Sequence, residues 1–118
     1  MSGTFDQIKK KNLIDAPETV TTTWSSDSVS LDDRVGEFSV VFRYTNGTAV
    51  DMKVYLQLSN DNENFASIEE SMVQLSDNQG SVLFDMAGSG TQYARILVEV
   101  TGGSIDVDLI RYTALQFH

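Results

Sequence analysis

The sequence predicts an all-β protein: an antiparallel β-sandwich or jelly roll of about eight strands, preceded by a short N-terminal arm. Three observations carry this expectation. Apolar residues recur with period two from Val20 onward, the spacing that buries one face of a strand. β-branched and aromatic residues fill those runs, as pleated, half-buried strands favour. Turn-forming clusters return roughly every 8–12 residues, the rhythm of a two-layer antiparallel fold.

The elements follow in order. Residues 1–17 read as an arm, either disordered or a short helix, because Phe5, Ile8 and Asn12 or Leu13 fall at helical spacing; Pro17, the only proline, closes it. Residues 18–118 read as the sandwich domain. Val20–Trp24 is a Thr-rich strand, and Ser28–Leu31 alternates before the turn Asp32-Asp33-Arg34. Phe38, Val40, Phe42 and Tyr44 share one face. Asn46-Gly47 then gives the strongest short hairpin signal in the chain, and Val50, Met52, Val54, Leu56 and Leu58 resume the alternation. The two runs are therefore expected to pair with each other across that turn.

Ser59–Asn64 is a polar loop. Phe65–Leu75 is expected as a strand or two short strands, although Ile68, Met72 and Leu75 also fit a helical turn. Asp77–Gly80 turns into a short strand, Ser81–Asp85, and Ala87–Gly90 is a loop. Tyr93–Thr101 is a strand. Gly102-Gly103 is a second expected hairpin, and Ile105, Val107 and Leu109 continue beyond it. The alternation loses phase at Leu109-Ile110, as at a β-bulge. Val41, Tyr55, Leu83, Leu97, Ile110 and Tyr112 fall out of phase with the inner faces. They are either edge and surface residues or an outer face covered by a second copy.

Composition narrows the function. The 118 residues contain no cysteine and a single histidine, His118, at the last position. Disulfides and thiolate chemistry are excluded, and a His-based metal site or Ser-His-Asp triad is disfavoured. No apolar stretch reaches the ~18 residues of a membrane span, and the first residues lack the apolar run of a secretion signal. The net charge of −9 opposes binding to free nucleic acid or anionic membranes. The charge is uneven. Lys9, Lys10 and Lys11 are consecutive, with Asp6 the only acid among residues 1–11. These lysines mark a candidate assembly arm that could lie on an acidic neighbouring subunit.

Other constellations are weaker. Asn60, Asp61, Asn62, Glu63 and Asn64 are rich in oxygen, but their spacing is not that of an EF-hand, and a self-capping turn is the plainer reading of them than calcium. Asp32-Asp33, Glu69-Glu70 and Asp106/Asp108 are carboxylate pairs that sequence cannot place across a cleft, as glycosidase chemistry requires. Trp24 and Tyr55 are the candidate platform of an alternative reading, a carbohydrate-binding β-sandwich module. The expectation is no catalytic residue, no cofactor and no metal site.

One stretch carries a resemblance. Val54-Tyr55-Leu56-Gln57-Leu58-Ser59-Asn60-Asp61, then Phe65 and Ile68, resembles a strand–Ser-Asn-Asp–aromatic signature of small β-sandwich proteins of bacteriophage virions. Tyr93-Ala94-Arg95 and Thr101-Gly102-Gly103-Ser104 look like further parts of it. The aromatic in that signature is usually Trp, whereas this chain has Phe65. The similarity covers about residues 20–113. It implies a non-enzymatic structural protein of capsid-associated, decoration or spike/fibre-base type, made in the host cytoplasm and residing in the virion. Its implied partners are itself, as a homo-oligomer such as a trimer or pentamer, and other virion proteins.

Overall fold

The computed structural model describes residues 5–15, 17–31, 35–87 and 92–117. Its frame is a ribbon of two very long antiparallel strands. In chain order the strands are β1 (Phe5–Asn12), β2 (Glu18–Val20), β3 (Trp24–Ser25), β4 (Val29–Ser30), β5 (Val35–Ser59), β6 (Ala66–Ser67), β7 (Val73–Leu75), β8 (Gly80–Ala87) and β9 (Tyr93–Phe117). β5 and β9 each run 25 residues and pair from Val35↔Gln116 to Ser59↔Tyr93. Every other strand attaches to an edge of this ribbon. β1, β2, β3 and β4 line the free side of β9. β8, β7 and β6 line the free side of β5.

A straight strand of 25 residues would span about 80 Å. The longest dimension of the whole molecule is 53 Å, so the ribbon bends. The bend sits where the register shifts, between Thr45/Thr48, Thr48/Asp51 and Asp51/Met52. Asn46, Ala49 and Gly103 take positive φ there, at 54°, 50° and 82°. The two expected hairpins are therefore corrected. Asn46-Gly47 and Gly102-Gly103 do not reverse the chain. They lie near each other on opposite strands, and together they form the corner of one ribbon. The left-handed preference of Asn and Gly is used, but for a double bulge rather than a reversal. Phe38–Thr45 and Met52–Leu58 accordingly do not pair with each other; both pair with β9.

The corner divides one continuous sheet into two layers. Layer A has the order β1–β9–β5–β8, and layer B is built on the other halves of β9 and β5. Both inner faces enter a single apolar cluster that includes Phe38, Val40, Phe42, Met52, Val54, Leu56, Ile96, Val98, Ile110 and Tyr112. The fold class is all-β, in sandwich form. Phase changes as expected, one residue early: Arg43↔Leu109 is followed by Tyr44↔Val107, so Asp108 is the bulged residue. That flip places Ile110 and Tyr112, the residues read as out of phase, in the protein's own core, both 0% exposed.

Two further expectations change. Residues 5–12 of the arm are strand β1 rather than a helix or disordered segment. Leu13 and Ile14 behind it are buried in the common core, so this part of the arm belongs to the domain. Leu13 ties the layers, donating its amide to Ile110 O (2.8 Å) and accepting from Asp27 N (3.0 Å). The Val20–Trp24 strand is broken into β2 and β3. The two short strands expected over Phe65–Leu75 are present as β6 and β7, joined by a 3-10 turn over Glu69–Ser71 rather than by a bulge. The turn at Asp32-Asp33-Arg34 lies outside the described residues.

The short strands leave gaps in the ladder, and hydroxyls fill them. Ser26 Oγ accepts from Ile96 N (3.0 Å), Thr23 Oγ1 from Val100 N (3.1 Å) and Ser71 Oγ from Leu56 N (2.9 Å). Each serves a backbone donor that the neighbouring strand fails to reach.

Candidate functional site

The two outer strands of layer A are its free edges among the described residues, and they differ in chemistry. β1 carries Lys9, Lys10 and Lys11, all exposed. Lys11 Nζ reaches Ser28 O at 3.3 Å, which fastens the strand to its own chain. Lysines on an edge strand discourage uncontrolled pairing. At the other edge, β8 carries Val82, Leu83, Phe84 and Met86 with one acid, Asp85.

A cavity of about 350 Å³ opens beside β8, lined chiefly by Leu56, Ile68, Glu70, Met72, Leu83 and Met86. It lies between layer A and the β6–β7 segment of layer B. Met72 and Leu83, at 41% and 65% exposure, are the exposed large apolar side chains among the described residues, and both line it. Leu83 stood out in the sequence as out of phase. Met72 did not, because its position depends on the 3-10 turn.

Trp24 and Tyr55 are not brought together. Trp24 pairs with Val98, which faces Val54, and its ring packs against the core. Tyr55 belongs to the next row, Ser25–Leu97–Tyr55. Adjacent rows point to opposite faces of a sheet, so the two rings cannot form one platform. Trp24 instead lines a separate cavity of about 210 Å³ with Leu13, Ile14, Asp15, Glu18, Ser25 and Asp27. Tyr55 is 8% exposed on the outer face. Nearby, the Arg95 guanidinium lies 3.9 Å over the Phe65 ring and its Nε donates to Gln57 Oε1 at 2.8 Å. Burial lowers the Arg95 pKa.

The carboxylate clusters serve local structure. Asp61 Oδ1 accepts from Asn64 N, Glu63 N and the Ser59 hydroxyl, and Oδ2 accepts from Asn64 Nδ2, all at 2.8–2.9 Å. The Asn64 and Glu63 amides, followed by the two side chains, hold its carboxyl well below the usual carboxylate range. This is the self-capping turn. Asp106 accepts from Asn46 Nδ2 (2.9 Å) and Thr19 Oγ1 (2.8 Å), which lower its pKa in that order. It thereby ties β2 to the corner. Asp108 accepts from Thr45 Oγ1 at 2.8 Å. Both shifted carboxyls are favoured as anions, the wrong direction for a general acid. Among the described residues no three His, Cys, Asp or Glu side chains group as metal ligands.

No protein-family model matches the chain, and no curated protein does. Among solved structures it is similar to part of a family GH115 4-O-methyl-α-glucuronidase, BtGH115A, specific for decorated arabinogalactans, with TM-score 0.55 and 8% identity over 88% of this chain. The match spans only 16% of that enzyme's chain; at this identity it shows the fold alone. TmCBM61, solved with β-1,4-galactotriose, is similar with TM-score 0.47 and 16% identity over 93% of this chain and 90% of its own. FLHE is similar with TM-score 0.49 and 14% identity over 98% and 97%. These two scores are too low to carry an argument. None of the three is described as a virion protein.

Proposed function

We propose that the chain is a non-enzymatic structural subunit of a phage particle, acting by self-association and docking to other virion proteins through the β8 edge. One observation carries the reading: Met72 and Leu83 both line the cavity beside β8, an edge strand whose outer side pairs with no other strand among the described residues. An apolar edge of this kind is a surface for another chain. The absence of cysteine and the anion-favouring environments of Asp61 and Asp106 agree with a role outside catalysis. Sedimentation velocity of the purified chain over a concentration series tests the reading. Expected is a reversible oligomer that Leu83→Asp dissociates without changing the β-type circular dichroism spectrum. A monomer at every concentration overturns it.

A second reading is favoured by the Trp24 cavity. An aromatic wall beside the carboxylates Asp15, Glu18 and Asp27 has the elements for a sugar, with ring stacking on C–H faces and carboxylates accepting from hydroxyls. Glycan-array binding lost in both Glu18→Gln and Trp24→Phe supports this carbohydrate-binding role. Binding unaffected by either removes it from this cavity.

A further inference from the structure

We infer that copies of this chain add head to tail, the β1 edge of one pairing with the β8 edge of the next, with Lys10 set beside Asp85 of the adjoining copy. This rests on the self-association reading and specifies its partner surface and register.

Strand direction permits the addition. β1 is antiparallel to β9, β9 to β5 and β5 to β8. A following copy in the same orientation therefore presents its β1 antiparallel to β8, and the alternation continues unbroken across the junction. Without a register shift, Ile8–Asn12 of one copy face Leu83–Ala87 of the other, which gives a ladder five residues long.

The side chains select this partner over others. Across layer A one row reads Lys10, Thr113, Ser39, Asp85. It is cationic at one edge and anionic at the other. Addition without a register shift places the two ends together as an opposite-charge cross-strand pair. The next row reads Lys9, Ala114, Phe38, Met86. Lys9 then comes over the β8 cavity, which contains Glu70, while its aliphatic stem covers Met86 and Met72. A two-fold β8–β8 contact would give Asp85 no cationic counterpart, since β8 carries no lysine or arginine, and a β1–β1 contact would bring two lysine-rich strands together. The overall charge of −9 makes a local basic strip the favoured counterpart of an acidic rim. The resulting contact is heterologous, so repetition gives a closed ring or an open filament.

A charge swap in the full-length chain tests the pairing. Lys10 and Asp85 are both exposed, so Lys10→Glu and Asp85→Lys should leave the fold intact by circular dichroism. Each single variant is expected to weaken association roughly tenfold in low salt, and the double variant to recover most of it. Added salt should weaken the wild-type assembly. Single variants without effect, or a double variant no better than the singles, overturn this register even if Leu83→Asp still dissociates the oligomer. In that case the self-association reading survives alone. A monomeric wild type overturns both.

Discussion

The two layers are made from halves of the same two strands, yet their edges are built differently. Layer A is bordered chiefly by two strands of eight residues, β8 and β1, the latter regular from Gln7 to Asn12 after a register shift between Phe5 and Gln7. Layer B is bordered by fragments of two or three residues, β3, β4, β6 and β7. Ser26, Thr23 and Ser71 fill the gaps with hydroxyl acceptors. A fragmented edge offers no continuous row of donors and acceptors to another chain, whereas a regular one does. Layer B is thus closed by its own side chains, and layer A keeps its edges available. The difference teaches where association belongs.

The largest effect should come from the corner that separates the layers. A Cβ on Gly103 would lie 2.3 Å from Ala49 O and 2.4 Å from Thr48 O, at a φ of +82°. Gly103→Ala should cost at least ~3 kcal/mol, from backbone strain and overpacking together. Urea unfolding would measure it. A near-neutral result would mean that the layers do not depend on this bend.

Next is the closure of layer B. Ser26→Ala leaves the Ile96 amide, in a strand position that is 0% exposed, without its hydroxyl acceptor. The expected loss is about 1–3 kcal/mol, together with faster hydrogen exchange at that amide. Unchanged exchange there would show that layer B does not need the hydroxyl to close its ladder.

The smallest effect concerns the Asp61 loop at the end of β5. Its folded pKa is depressed, so the carboxylate's contribution is fully present above the unfolded value of about 3.9 and is lost as pH falls through the lower folded value. The Glu63 and Asn64 amides should therefore stay protected at pH 4 and lose protection only in stronger acid. Asp61→Asn should release them at neutral pH as well. Release of the wild-type amides already at pH 4 would contradict the shift. Layer A should be insensitive to both changes.

Much of the fold was legible in the chain. The alternation from Phe38 to Tyr44 and from Ala94 to Val98 identified the buried faces, because period two in a strand has one structural meaning. The bulge near Leu109 was visible as a phase error. The lysine strip at Lys9–Lys11 and the stray Leu83 were visible as departures from composition and phase. Two features took their meaning from the sheet. Asn46-Gly47 and Gly102-Gly103 looked like reversals because a dipeptide shows its own dihedral preference and not the strand opposite it; Trp24 and Tyr55 looked like partners because both are aromatic, whereas the row each occupies in the sheet decides its face.

The sequence by itself determined most of the apolar-facing residues, marked the two dipeptides that hold the left-handed Asn46 and Gly103 though not Ala49, and left this stretch of chain without a thiol. Tertiary structure alone decided what those left-handed positions do. A positive φ in an isolated segment permits a hairpin. Opposite another such position, with Gly103 packed against the Thr48 and Ala49 carbonyls, it becomes a shared corner that keeps both strands running. The physical reason is that dihedral preference is local, while the choice between reversing and bending depends on which strand supplies the hydrogen bonds across the way.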